Sequence, residues 1–396
     1  MSRYFDHAAT TPVRPTAVQV LTELMPQLAN PSSLHGSGRR ARLAVDSARE
    51  QLAAALGAHP SEVVFTSGGT EADNLALKGL WWQRRAEDPQ RRRILLTGVE
   101  HHAVLDTAEW LEAHEGAELQ LIPVNETGIV DVHALEKMLA DRPETIALAT
   151  VMWANNEVGA VQPVPRIAQA CAAAGVPFHT DAVQALGSVP LSFAESGAST
   201  MAVTGHKIGA PVGLGALLVR RDVKLTPVLH GGGQERDVRS GTLDAAGICA
   251  FAAVAEEVVA GREEEAARIS GLRNQLLESA VGCDGVTLRG PDPRSHAELR
   301  LPNNLHITVD DAEGDSLLFM LDMAGFDTAT GSACTAGVPR PSHVLLAMGL
   351  SEAQARSAQR FSLGWTTTQE DVAALAQALP DIIEQSRSAG MAAGGR

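Results

Sequence analysis

Between residues 62 and 219, short apolar runs alternate with segments of helical period, and this rhythm limits the possible folds more than any other feature of the chain. The runs fall at 62–66, 93–97, 118–124, 145–152, 177–181, 199–203 and 214–219. Helical segments begin near Ala72, Ala103, Val132 and Val164, the first leading to Trp81 and Trp82. Strands apolar along their whole length are buried on both faces, so the rhythm predicts an α/β fold with a mainly parallel central sheet flanked by helices. Ligands of such sheets bind beyond the carboxyl ends of the strands. Thr70, His101, Asn156, Asp181 and the stretch 204–207 fall there.

Before residue 62 the opening DHAATTPVRP reads as an extended arm. A loop follows, and then a helix that ends near Leu56. After the glycine-rich HGGGQERDVRSGT, one long helical segment is expected from Asp244 toward Ala280, with its EEE run near the middle. Strands near 304–309 and 360–363 and helices near 313–323, 341–348 and 369–386 then suit a smaller α+β domain. A chain of 396 residues exceeds the size at which one core keeps growing. The expected division is a large domain, 16–261, and a small domain made of 1–15 and 262–396. The small domain would hold a mobile cysteine loop at about 328–340. The tail SAGMAAGGR is expected to be disordered.

The formal charge of −15 argues against direct nucleic-acid or membrane-surface binding. No run reaches the length of a spanning helix, and MSRYFDHAATT lacks the apolar core of a signal peptide, so a cytoplasmic protein is expected. Cys171, Cys249, Cys283 and Cys334 show no CxxC spacing, which points away from disulfides and metal sites.

Chemistry concentrates in AVTGHKIGAPVGLG, residues 202–215. Gly205, Gly209, Pro211 and Gly213 would pack tightly around Lys207, and burial turns a lysine amine into a nucleophile for Schiff-base chemistry. SGGT at 67–70 opens a helix; a plain capped turn and a phosphate site both fit it. Asp181 ends an apolar strand, where a bare carboxylate is costly and a cation is required. An Arg or His would serve, and so would a protonated pyridine nitrogen. Asp and Lys on neighbouring strand ends are what a pyridoxal phosphate site needs.

Eight motifs, FTSGGTEADNLAL, EHHAVLD, WANNEVGAVQP, FHTDAVQALG, TGHKIGAP, HGGGQERDVRSGT, GSACTAG and RFSLG, stand in the order and spacing of the NifS/IscS-type cysteine desulfurases. The chain resembles these class V aminotransferase-fold enzymes from DHAATTP to RFSLG. The resemblance implies fold type I of the pyridoxal 5′-phosphate enzymes and a homodimer with active sites at the subunit interface. It also implies L-cysteine as substrate, with alanine and an enzyme persulfide as products. A protein acceptor, an iron–sulfur scaffold or a thiolation enzyme, would then take the sulfur.

On the matching positions, Lys207 resembles the lysine bonded to the cofactor aldehyde and Asp181 the partner of the ring nitrogen. His101 resembles the imidazole that stacks on the ring and assists proton transfer. Gln184 resembles the donor to the ring hydroxyl, and Asn156 the side chain beside ring and substrate carboxylate. Thr70 beside Gly69, with Thr204 and His206, resembles the phosphate set, joined by Thr242 from the other subunit. Arg360 resembles the carboxylate clamp, with Asn30 beside it. No metal is implied.

Cys334, in a segment of small residues, resembles the thiolate that receives the sulfur. The other cysteines read as core or incidental. Three departures stand out: Gly69 where relatives often carry Ala, IGAPVG after the lysine, and His102 where Lys is common. A selenocysteine lyase or an aminotransferase is the same-fold alternative, and GSACTAG speaks against the aminotransferase.

Overall fold

The computed structural model describes residues 2–27, 29–331 and 341–394. The chain opens with β1 (Arg3–Tyr4), α1 (Pro15–Leu24) and α2 (Gly36–Ala55). The alternating region follows as β2 (Val63–Thr66), α3 (Gly69–Glu87), β3 (Arg93–Thr97), α4 (His102–Glu115), β4 (Glu118–Ile122), α5 (Val132–Ala140), β5 (Ile146–Thr150), α6 (Val164–Ala173), β6 (Phe178–Asp181), α7 (Phe193–Ser196), β7 (Thr200–Thr204) and β8 (Gly215–Val219). These strands form one seven-stranded sheet, ordered β2-β8-β7-β6-β5-β3-β4.

The run from β4 to β7 is parallel, while β8 pairs antiparallel with both β7 and β2. No helix joins β7 to β8, and an antiparallel return needs none. Lys207 therefore sits in a hairpin connection closed by Gly205 N donating to Leu214 O at 2.9 Å.

Both faces of the sheet are covered, as the apolar runs require. On one face Ile94, Leu96 and Leu148 pack with Leu75, Leu80 and Trp81 of α3. On the other, Phe65, Ala149, Phe178 and Val203 meet residues of α2, α6 and α8 (Ala245–Ala260). Each fully buried Leu, Ile or Phe contributes about 1.5–3 kcal/mol.

The remaining elements are α9 (Arg262–Val281), β9 (Val286–Leu288), β10 (Asn304–Val309), α10 (Gly314–Met323), β11 (Phe326–Asp327), α11 (His343–Ala347), α12 (Glu352–Arg356), β12 (Ala358–Ser362) and α13 (Gln369–Gly394). An antiparallel sheet, β12-β10-β9, shares a separate core with α9, α10 and α13. Phe5 lies in this second core and β1 pairs with β11, so the first residues pack with the last third of the chain.

The structure departs from the expected elements at four places. α1 lies just after the expected arm, where a loop was expected: Pro15 starts it, and the helix packs on α8 with Ala17 fully buried. α3 starts at Gly69, three residues early, because Gly68 at φ 151° turns the chain into it. The expected 244–280 helix is two helices parted at Gly261. This puts Glu263, Glu264 and Glu265 in the first turn of α9, where negative charge suits the helix dipole. The tail expected to be disordered continues α13 as far as Gly394.

Candidate active site

A cavity of about 460 Å³ opens at the carboxyl ends of β6 and β7. Gly69, Thr70, His101, Asn156, Asp181, Gln184, Thr204, His206, Lys207 and Arg360 all line it. Positions 69 to 207 converge because parallel strands bring their ends to one edge of the large sheet, and Arg360 joins them from β12 of the small sheet.

Asp181 ends β6, is 4% exposed, and accepts a hydrogen bond from Val183 N at 2.8 Å. Among the described residues no Arg or His forms an ion pair with it; His179, on the same strand, bonds Asp73 instead at 3.2 Å. Burial pushes the Asp181 carboxyl up to about 6, against the pull of its backbone hydrogen bond and of Lys207. An arginine or histidine partner, left open by the sequence, is therefore not what balances this carboxylate.

The Lys207 amine donates to Ala8 O at 2.6 Å and Ala9 O at 2.7 Å. Burial, followed by the charge of Arg360, lowers its pKa to about 8, while Asp181 and Asp6 act in the opposite sense. Near neutral pH a usable share of this amine is uncharged.

At the entry to α3 no side chain caps the first turn, so backbone N–H groups beside Gly69 and Thr70 remain available to an anion. A Cβ at Gly69 would lie 2.7 Å from Val183 Cγ2, so alanine would force Val183 to move. The Gly69 departure is thus matched by the side chain facing it. Thr204 Oγ1 donates to Leu214 O at 3.1 Å, and His206 Nδ1 lies 3.3 Å from Thr10 Oγ1. Burial, then Lys207, lowers His206 to about 4.

His101 caps α4: its Nδ1 accepts from Ala103 N at 3.1 Å, which assigns the proton of the neutral ring to Nε2. Desolvation and then Lys207 lower its pKa to about 4, so the ring is neutral at physiological pH although one side opens onto the cavity. Gln184 Nε2 donates to Ala8 O at 3.0 Å. Arg360 reaches in from β12. Its Nη1 donates to Asn156 O at 3.0 Å and its Nη2 to Asp6 Oδ1 at 2.7 Å, while Nε is buried without a partner among the described residues.

Asp6, Ala8 and Ala9 thus hold Arg360, Gln184 and Lys207 together. The reading of the sequence missed this contribution of the N-terminal arm, because nothing in an extended DHAATT marks which carbonyls a distant lysine will meet.

Three expected site residues lie outside the cavity or the described chain. Asn30 is exposed and accepts from Ser32 N at 2.9 Å, a local turn contact. Thr242 is exposed, in a segment braced to α3 by Arg239 donating to Glu71 at 2.7 Å. Cys334, with most of the 328–340 loop, lies outside the described residues. Cys171 is buried and its thiol is pushed up to about 12. Burial also raises Cys249 and Cys283, which makes all three poor nucleophiles.

A desolvated lysine beside a buried carboxylate, with a helix N-terminus lining the same cavity, defines an α/β enzyme of the lysine-anchored cofactor class. The aminotransferase class-V family model matches residues 3–375. The IscS-like cysteine desulfurase of Mycobacterium tuberculosis is 50% identical over 393 residues, covering 99% of both chains. A solved NifS-like protein superposes with a TM-score of 0.88 at 33% identity, covering 97% of this chain and all of the other. SspA in complex with cysteine gives 0.78 at 32% identity, over 91% and 99% of the two chains. The chain belongs to the class-V aminotransferase family, and within it to the cysteine desulfurases of the NifS/IscS type.

Proposed function

We propose that this cavity divides the desulfurase reaction between a cofactor half, built on the large sheet, and a sulfur half, built on Arg360 and Cys334. The family depends on pyridoxal 5′-phosphate, and the residues present suit it: an amine near neutrality, a buried carboxylate awaiting a cation, and an uncapped helix N-terminus. When bound, the cofactor supplies an electron sink for charge developing at the substrate α-carbon.

Lys207 would hold the cofactor by its aldehyde, and its amine is placed to move the substrate α-proton. Asp181 stays anionic and holds the ring nitrogen protonated. His101 assists proton transfer through Nε2. Gln184 and Asn156 orient the ring and substrate, while Thr70, Gly69, Thr204 and His206 bind phosphate. Thr242 of a second copy completes the phosphate set, which makes the working unit a homodimer. Arg360 clamps the substrate carboxylate, with Asn30 contributing at its rim.

The Cys334 thiolate attacks the sulfur of L-cysteine. An S–S bond forms, the Cβ–S bond breaks with its electron pair left on carbon, and Cβ takes a proton to give alanine. The persulfide then passes to an acceptor protein, an iron–sulfur scaffold or a thiolation enzyme. A cytoplasmic setting would keep these thiols reduced. Among the described residues no helix is long and apolar enough to cross a membrane.

Asp181 carries this reading: a carboxylate 4% exposed, without an ion-pair partner among the described residues, one strand from a desolvated lysine. The test follows alanine and sulfide release from L-cysteine with a thiol reductant, beside the cofactor spectrum. Cys334→Ser should lose turnover and keep the cofactor band, whereas serine at 171, 249 or 283 should change turnover little. Near-normal release by Cys334→Ser would refute the persulfide step.

A further inference from the structure

The turn from β3 into α4 carries His101, and the residue before it, Glu100, is 0% exposed. Glu100 Oε1 accepts from Thr97 Oγ1 at 2.5 Å and from Met152 N at 3.1 Å, which ties the turn to the ends of β3 and β5. Glu100 Oε2 is buried and has no hydrogen-bond partner among the described residues. The backbone is held as well: Asn155 Nδ2 donates to Val99 O, and His343 Nε2 to Glu100 O, both at 2.9 Å.

Asp181 on β6 is the charge that acts on Glu100, and it has the same sign. Asp73 on α3 is a further buried carboxyl, repelled by both Asp181 and Glu100. His179 on β6 and His101 at the cap of α4 are held neutral by burial, and His343 bonds the Glu100 carbonyl, not its carboxyl. His102, on α4, faces Asp106. Lys207 acts on Asp181.

We propose that Glu100 is a positioning residue that works as an uncharged carboxylic acid, fixing the turn that bears His101 while leaving Asp181 as the anion of the site. Like-charged carboxyls sharing a low-dielectric site do not all ionise, and the one with a cation nearby keeps its charge. Here that one is Asp181, beside Lys207. Glu100 has a bare oxygen and no ion-pair partner among the described residues. Burial accordingly lifts its pKa to about 8, so it is mainly protonated below that pH. The neutral acid still accepts from Met152 N, which an apolar residue would leave unpaired.

This inference rests on Asp181 as the partner of the ring nitrogen, and its test separates the two. Infrared spectra of cofactor-free and cofactor-loaded protein near neutral pH should show the carbonyl band of a protonated carboxylic acid. Because Asp73 is pushed the same way by burial and by its carboxyl neighbours, the band is read in Asp73→Asn, where it should remain and shift in D2O, and it should vanish when Glu100→Gln is added to that variant. In the loaded protein, Glu100→Gln should keep the pH midpoint of the cofactor absorption, because a neutral amide replaces a neutral acid. Glu100→Ala should alter the dichroism of the cofactor band by releasing the His101 turn, and glutamine should restore it. Absence of the band from Asp73→Asn, or a midpoint lowered by about one unit in Glu100→Gln, would overturn the proposal. Equal damage from alanine and glutamine would also overturn it. If Glu100→Ala does not fold, the infrared band and the glutamine variant still decide. A cofactor that fails to attach at Lys207 would count against the functional reading alone, because the infrared result on cofactor-free protein stands without it.

Discussion

The two sides of the cavity are built on different physics. On the large-sheet side, Asp181, Lys207 and His101 owe their protonation to desolvation, which raises the carboxyl and lowers the amine and the imidazole. On the small-sheet side, Arg360 owes its position to hydrogen bonds with Asp6 and Asn156 O. Desolvation is a property of the packed interior and persists whatever enters the cavity. A guanidinium bonded to a side-chain carboxylate already displays the interaction a substrate carboxylate would make, and such partners exchange. The protonation of the cofactor side is therefore preset within one chain, while the substrate side is arranged to change partners.

Lys207→Ala tests that contrast most severely. It should cost roughly 10²–10⁴-fold or more in turnover, the scale on which a catalytic acid–base group is lost. Borohydride should also fail to fix cofactor to the chain. Reduction trapping cofactor on another lysine would break the assignment.

Arg360→Lys should act on the other side alone. Losing a bidentate, charge-assisted contact of about 1.5–3 kcal/mol should raise KM for cysteine roughly 10–100-fold. The cofactor spectrum should stay that of the wild type. A spectrum changed as much as KM would show that the two sides are not separable.

The preset side should also reveal itself through pH. Below about 8 the neutral fraction of Lys207 falls tenfold per unit, so cofactor capture by apoprotein should slow by about that factor and level off above. Stopped-flow absorbance checks this. A rate still climbing steeply near the ordinary lysine pKa would mean the amine is not desolvated.

Thr242→Ala should give the smallest effect, about a tenfold loss of cofactor affinity, as expected for one hydrogen bond to a phosphate. Because Thr242 is exposed in the single chain, the loss should appear only under conditions where the protein is dimeric. Sedimentation run beside the cofactor titration tests both halves of that statement.

Much of this site was legible in the residues themselves. The alternation of apolar runs required a covered parallel sheet, and Asp181, Lys207, His101 and Thr70 stood at the strand ends where ligands bind. Those readings work because periodicity and strand length are local and survive any detail of packing. α1 was missed, because its burial depends on α8, more than 200 positions away. So was the break at Gly261, where two helical periods run together in the sequence.

The sequence by itself determined the α/β class, the sheet edge that bears the site and the residue types available there. Only the tertiary structure decided that Asp6 meets Arg360 across 354 positions, that Ala8 and Ala9 receive the Lys207 amine, and that Glu100 is sealed behind Asp181. Protonation and partner choice depend on how completely water is excluded and on which groups packing brings together. Neither quantity is a property of a residue and its chain neighbours.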